Sequence, residues 1–257
     1  MLTRPLGILL TGAGSGIGRG LAHLLAAKGR RLFLTDLHLD SVDQTIRLLA
    51  SDGREASAHA LDVTSAAQVR AFLQAIGDRR IDVIINNAGL QHVSSIEEFP
   101  EETWDRLIDV MLKGPFLLIQ AMLPRMRAQG FGRIVNIGSI HALVASPFKS
   151  AYVAAKHGLL GLSKVVALES AGADITINTI CPAYVRTPLV DAQIRDQAQA
   201  HGISEQEVID QIMLAPMPKK TFITIEEIAA TVEFLISYEA RNITGQTIVI
   251  DGGWTAR

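Results

Sequence analysis

Tyr152 and Lys156 stand four residues apart, so on a helix they share one face. A tyrosine hydroxyl ionises near pH 10 in water, which makes it a poor base at neutral pH. A nearby ammonium favours the phenolate and brings it into range for general acid–base work. Such a phenolate can take the hydroxyl proton of an alcohol while the alcohol carbon gives up hydride. Ser139, just after a predicted strand, can hydrogen-bond the same oxygen and hold it in place. Taken alone, the tyrosine–lysine spacing is also that of two amphipathic residues on a helix surface. A hydride acceptor elsewhere in the chain decides between the two.

The first predicted strand runs into Thr11-Gly12-Ala13-Gly14-Ser15-Gly16-Ile17-Gly18 and then a helix. Glycines in such a turn allow close backbone approach to a pyrophosphate and close packing of helix on strand. The helix N-terminus adds free N–H groups and a partial positive charge. The register Gly12, Gly16, Gly18 departs from the common G-x-G-x-x-G spacing, and a plain glycine-rich turn is the alternative. Asp36 ends the second strand about 20 residues on, where a carboxylate can accept from the adenosine ribose hydroxyls of a dinucleotide. It would repel a 2′-phosphate, and Leu37-His38 brings no arginine, so the pattern favours NAD over NADP. Asp62-Val63 and Asn86-Asn87-Ala88-Gly89 follow the third and fourth strands. They can contact adenine and its ribose, or serve only as turn formers.

The elements that must position these groups alternate. Strands are predicted at 6–10, 31–37, 57–61, 81–85, 133–137, 176–180 and 247–250. Helices are predicted at 17–28, 40–51, 66–76, 101–112, 117–128 and 151–171. Nearly all-apolar strands such as 81–85 suit a parallel sheet covered on both faces. Strict alternation implies right-handed crossovers, hence an α/β, single-domain, Rossmann-like, doubly wound parallel sheet of about seven strands. The alternation breaks at 188–220, a polar, helix-prone connection with helices at 191–201 and 204–214. A connection that long in a compact domain is disordered or functional, and a substrate lid is the expectation.

With 257 residues, 24 Lys and Arg against 26 Asp and Glu and a net charge of −2, the chain has no electrostatic footprint for nucleic acid or anionic membrane. No apolar run approaches the ~18 residues of a bilayer span, and residues 1–7 lack the apolar core of a secretory leader. A cytoplasmic protein is expected. The single cysteine, Cys181, before Pro182, excludes an internal disulfide and reads as a small buried hydrophobe. The seven histidines form no i, i+4 pair with a carboxylate on the same face, and no metal site is expected.

Residues 11–18, Asn86-Asn87-Ala88-Gly89, Ser139, Tyr152-x-x-x-Lys156 and Asp251-Gly252-Gly253 together resemble the short-chain dehydrogenase/reductase family over nearly the whole chain. The resemblance implies a nicotinamide cofactor held by Gly12, Ser15, Gly16, Ile17, Gly18, Asp36, Asp62, Val63, Asn87, Ala88, Gly89, Tyr152, Lys156, Pro182, Val185 and Thr187. It also implies a homotetramer packed through long helices and the last strand. Within the family, residues 87–93, Ser139-Ile140-His141, residues 149–152, 185–190 and 251–257 are similar to the D-3-hydroxybutyrate dehydrogenases. These interconvert (R)-3-hydroxybutyrate and acetoacetate with NAD. On that resemblance Gln91, His141, Lys149 and Gln193 grip the substrate carboxylate, while Tyr184 and Trp254 wall its methyl end. The residues agree: a helix that begins early enough would carry Lys149, Tyr152 and Lys156 on one stripe, and a second lysine near the alcohol suits an anionic substrate.

Met111 stands in Asp109-Val110-Met111-Leu112 where the family usually carries an asparagine that holds a water beside the lysine. A thioether accepts weakly and cannot donate, so proton exchange is slowed or takes another route, unless the methionine merely packs there. Ala183 and Tyr184 replace the more usual glycine and tryptophan, which leaves room for a longer or more polar substrate. The other readings are a dehydrogenase of the same family for another hydroxy acid or a polyol, and a cofactor-binding regulatory protein with impaired catalysis.

Overall fold

The computed structural model describes residues 4–50 and 56–256. Met1, Leu2, Thr3, Ser51 and Arg257, which enter the sequence reading above, lie outside the described residues. Strands β1 (Gly7–Thr11), β2 (Arg31–Asp36), β3 (Ala56–Ala60), β4 (Val83–Asn86), β5 (Gly132–Ile137), β6 (Ile175–Pro182) and β7 (Thr247–Ile250) form one sheet in the order β3-β2-β1-β4-β5-β6-β7. Every pairing is parallel. All residues of β1, β4, β5 and β6 are buried, in keeping with a sheet covered on both faces, and the polar ones among them, such as Asn86 and Asn136, pair with one another.

Helices α1 (Gly16–Ala26), α2 (Leu39–Ala50) and α9 (Ile225–Ile236) cover one face, with Leu21, Leu25, Val42, Leu49 and Val232 in its core. The other face is covered by α3 (Ala66–Ile76), α5 (Gly114–Gln129) and α6 (Ser150–Glu169), through Val69, Phe72, Leu118, Met122 and Val166. The architecture is the single-domain, Rossmann-like one expected. Strand order reverses between β1 and β4, so a crevice opens beyond their carboxyl ends, the place where such sheets bind ligands.

Two details differ from the sequence reading. Helices expected at 101–112 and 117–128 are one helical run: α4 (Glu101–Ile108), a π-helical segment (Asp109–Lys113) and α5. Pro115 does not break it, because proline is tolerated near a helix start and the widened π turn precedes it. The run carries an 18-residue window of mean hydropathy 1.4, so by length and composition it is apolar enough to cross a membrane. Its burial of Leu107, Met111, Leu118, Ile119, Met122 and Met126 accounts for that composition. The insertion after β6 folds as α7 (Pro188–His201), α8 (Glu205–Val208) and a π-helical segment (Ile209–Met213). Thr187 and Ser204 cap the first two by accepting from Val190 N–H and Glu207 N–H. Ile194, Val208 and Met213 give the insertion a small core of its own.

Candidate active site

A cavity of about 620 Å³ follows the crevice, lined among others by Gly12, Ser15, Asp36, Asn87, Tyr152 and Lys156. That lies within the usual size of small-molecule sites. The glycine turn is built for close approach. Gly12 sits at φ +65°, and a Cβ there would stand 2.8 Å from Ala88 Cα. Gly18 does not line the cavity; a Cβ on it would meet Gly12 O at 2.0 Å, so it brings α1 against the turn. Ser15 is the N-cap of α1, and its hydroxyl makes no capping bond. It therefore faces the cavity beside the uncompensated N–H groups of the first turn. No acidic residue occupies that turn.

Asp36 accepts from Gly14 N–H at 3.0 Å through one oxygen. Asn87 spends its amide donor on Thr11 O and Gly12 O, at 2.9 and 3.1 Å, and so braces the turn besides lining the cavity. Thr11 Oγ1 accepts from Asn87 N–H and Ala88 N–H and ties β1 to the end of β4. Asp62 accepts from Thr64 N–H and hydroxyl, and Val63 packs where a Cβ on Gly114 would stand 2.9 Å from its Cγ2. Thr64, Leu90, Arg106 and Val110 also line the cavity, although no motif marks them. The i, i+4 spacing of Arg106 and Val110 is the one signal in the sequence. A glycine cradle, free helix N–H groups and a ribose-facing carboxylate fit a nicotinamide dinucleotide.

A second cavity of about 130 Å³ is lined by Gln91, Ser139, His141, Lys149, Tyr184 and Gln193, among others. The two cavities share Ile17, Gly138, Tyr152 and Thr187. Pro182 and Val185 line the smaller one and Thr187 borders both. These three therefore lie at the junction rather than along the adenosine arm. Ile17, Ala88 and Gly89 line the larger cavity, as does Gly16. Trp254 stands behind the smaller cavity, stacked on Tyr184 at 6.0 Å and edge-on to His141 at 6.0 Å. Among the described residues, no group of three His, Cys, Asp or Glu is placed to hold a metal ion.

At the junction, the Ser139 side chain lies beside the Tyr152 hydroxyl, near enough to favour its ionised form. Lys156 Nζ lies 5.6 Å from the Tyr152 ring centre and donates to Ile137 O at 2.7 Å. Met111, buried in the π-helical segment, lies close to Gly89 on the wall of the larger cavity. Gly138 is dictated by packing: a Cβ would meet Thr179 Cγ2 at 2.7 Å and Cys181 Sγ at 2.8 Å.

A family model described as "Enoyl-(Acyl carrier protein) reductase" matches residues 12–255. A "D-beta-hydroxybutyrate dehydrogenase" of Rhizobium meliloti (strain 1021) is 44% identical over 97% of this chain and 98% of its own. A "D-beta-hydroxybutyrate dehydrogenase" of Cupriavidus necator is 40% identical over 97% of each chain. Among solved structures, a single-substitution variant of the actinorhodin polyketide ketoreductase with NADPH superposes with a TM-score of 0.93, at 31% identity and 98% coverage of both chains. The chain belongs to the short-chain dehydrogenase/reductase family.

As in any short-chain dehydrogenase/reductase, the electrostatics of this junction set what it can do. Burial raises the Tyr152 pKa above its ordinary value, and the Ser139 hydrogen bond opposes that rise. The lowering expected from Lys156 alone does not outweigh desolvation in the protein by itself. Burial also lowers Lys156 to about 8. In the smaller cavity Lys149 is buried, and burial lowers its pKa too. Among the described residues no carboxylate pairs with it. His141 Nε2 lies 3.5 Å from Lys149 Nζ. Burial, then the Lys149 charge, lowers His141 to about 4, so the imidazole is neutral at pH 7.

His141 has a folded pKa of about 4 against an ordinary 6.5. Between those values the unfolded chain binds the extra proton and the folded chain does not. The stability tied to a neutral His141 is fully present above pH 6.5 and is lost as pH falls towards 4. A His141→Gln variant should show a shallower fall of Tm across that window than the parent. Parallel Tm–pH curves for the two proteins would mean that His141 titrates normally.

Proposed function

We propose that this oxidoreductase interconverts (R)-3-hydroxybutyrate and acetoacetate with NAD. The observation that carries the reading is the buried, carboxylate-free ammonium of Lys149 in a small cavity that meets the cofactor cavity at Tyr152. A buried cation needs a counter-ion or hydrogen-bond partners, and a small acid carrying a secondary alcohol supplies the anion. The two relatives named D-beta-hydroxybutyrate dehydrogenase support the same choice.

The dinucleotide, when bound, supplies a positively charged ring that accepts hydride. Gly12, Ser15, Gly16 and Ile17 face its pyrophosphate, while Gly18 seats α1. Asp36 takes the adenosine ribose, and its charge disfavours a 2′-phosphate, hence NAD. Asp62, Val63, Asn87, Ala88 and Gly89 line the adenosine arm. Pro182, Val185 and Thr187 close the junction around the reacting end. Tyr152 is the acid–base: its hydroxyl oxygen takes the proton of the substrate alcohol, or returns it to the ketone. Lys156 stabilises the phenolate through its charge, and Ser139 donates to the substrate oxygen. Gln91, His141, Lys149 and Gln193 hold the carboxylate, with His141 as a neutral partner. Tyr184 and Trp254 wall the methyl end. The α7 to π-helical insertion, residues 188–220, acts as a lid that brings Gln193 onto the substrate.

Among the exposed apolar residues are Phe116, Val165 and Leu168 on α5 and α6, and Phe234, Tyr238 and Val249 on or beside α9 and β7. They support assembly as a homotetramer, and sedimentation velocity should then give a species of about four chain masses. A monomer at micromolar concentration would overturn it.

NADH formation followed by absorbance, with NAD and each enantiomer of 3-hydroxybutyrate, tests the central reading. Rapid turnover of the (R) form alone is expected. Tyr152→Phe should abolish it and leave the NADH dissociation constant within about twofold. Turnover of a neutral analogue as fast as of the acid would remove Lys149 from substrate binding. In Asp36→Ala the preference for NAD over NADP should fall by about tenfold or more, since the repelling charge is gone. An unchanged ratio would take Asp36 out of the ribose site.

A further inference from the structure

Helix α6 is joined to strand β5 at two levels. At the upper level Lys156 Nζ donates to Ile137 O. Two turns further along α6 and one residue back on β5, Asn136 Nδ2 donates to Ser163 Oγ at 2.9 Å. That lower joint lies inside a chain of buried polar groups. Asn136 Oδ1 accepts from Asn86 Nδ2 at 2.7 Å, which fixes the amide of Asn136. Ser163 Oγ in turn donates to Leu159 O at 2.7 Å and lies 3.0 Å from Thr179 Oγ1. Asn136 and Thr179 are fully buried and Ser163 nearly so.

Leucine or valine would fill the same space without the desolvation cost of four polar side chains. What the polar chain adds is direction. Apolar contacts tolerate a small axial slide of a helix over a sheet, whereas a buried chain of directional hydrogen bonds resists it. The upper joint cannot provide this stiffness, because the ammonium rides on a flexible four-carbon stem. Ser163 has a side chain of two heavy atoms, and Asn136 is held from its other end.

The register matters because of where the reacting groups sit. Ser139 is two residues beyond Ile137 at the end of β5, and Tyr152 is one turn before Lys156 on α6. A slide of α6 by a single residue rise, about 1.5 Å, would shift the Tyr152 hydroxyl by as much relative to Ser139. We propose that Asn136 and Ser163 are positioning residues for proton transfer: their buried hydrogen bond fixes the axial register of α6 against β5, and with it the Tyr152–Ser139 contact. The proposal rests on the reading of Tyr152 as the group that moves the proton.

The test compares Ser163→Ala and Ser163→Thr with the parent and with Tyr152→Phe, all saturated with NAD. The phenolate absorbance of the parent minus that of Tyr152→Phe isolates the titration of Tyr152. Lys156, His141, Cys181 and Tyr184 face the same phenol and are unchanged in the serine variants. In Ser163→Ala the Tyr152 midpoint should move up, because the Ser139 hydrogen bond that favours the phenolate is stretched. Its kcat should fall about tenfold, with KM and the NADH dissociation constant within about twofold. Ser163→Thr, which keeps the hydroxyl, should restore both. A Ser163→Ala protein with lowered Tm but the parental midpoint and kcat would overturn the proposal. If Ser163→Ala does not fold, Ser163→Cys keeps the shape with a weak acceptor and is read the same way. Turnover retained in Tyr152→Phe would sink the proton-transfer reading itself, and the midpoint in Ser163→Ala still decides the register.

Discussion

The hydrogen bond from Lys156 Nζ to Ile137 O is the contact that places the charge of the site. It carries an ammonium into the contact between helix α6 and the end of β5, where burial already pulls its pKa to about 8. Burial opposes the charge there, and a backbone carbonyl at the strand end accepts from it. The same bond aims the lysine past the Tyr152 ring. Around this point the sheet supplies everything else: β1 and β4 diverge to open the crevice, and Thr11 and Asn87 hold the diverging ends in register.

The smaller cavity shows how burial divides labour between two neighbouring bases. Lys149 and His141 lie close enough to share a proton's worth of electrostatic repulsion, and both are buried. The imidazole gives way: burial and the neighbouring Lys149 charge lower it to about 4, so it is neutral at pH 7. Tyr184 and Trp254, stacked on each other, stiffen the wall beside that pair. Lys149 Nζ also lies 5.6 Å from the Tyr184 ring centre, so the aromatic face contributes to holding the ammonium.

Much of this was legible in the residues because it is local. The turn at Gly12, the helix start at Ser15 and the strand-end placement of Asp36 follow from short-range rules of backbone freedom and hydrogen bonding. The central strands were legible because burial on both faces leaves a mark on most of their residues, while the edge strands β3 and β7 are only partly buried. What the sequence could not carry was long-range. The sign of the Tyr152 shift depends on how deeply the phenol is buried, which no spacing encodes. The fusion of α4 and α5 through a π-helical segment was hidden by Pro115, a residue that usually announces a helix start. The chain from Asn86 to Thr179 joins residues from three strands and a helix, and each looks like an ordinary strand or helix residue by itself.

Met111 brings these strands of argument to one place. The π-helical segment turns it inward, so that its thioether rests near Gly89 and Leu107, Ala151 and Ala155 close around it. That packing places an apolar plug on the flank of α6 where a polar side chain could have led water to the lysine. Lys156 nevertheless lines the cofactor cavity. The cavity is therefore the side on which its ammonium comes nearest to solvent, while the flank of α6 is closed by packing.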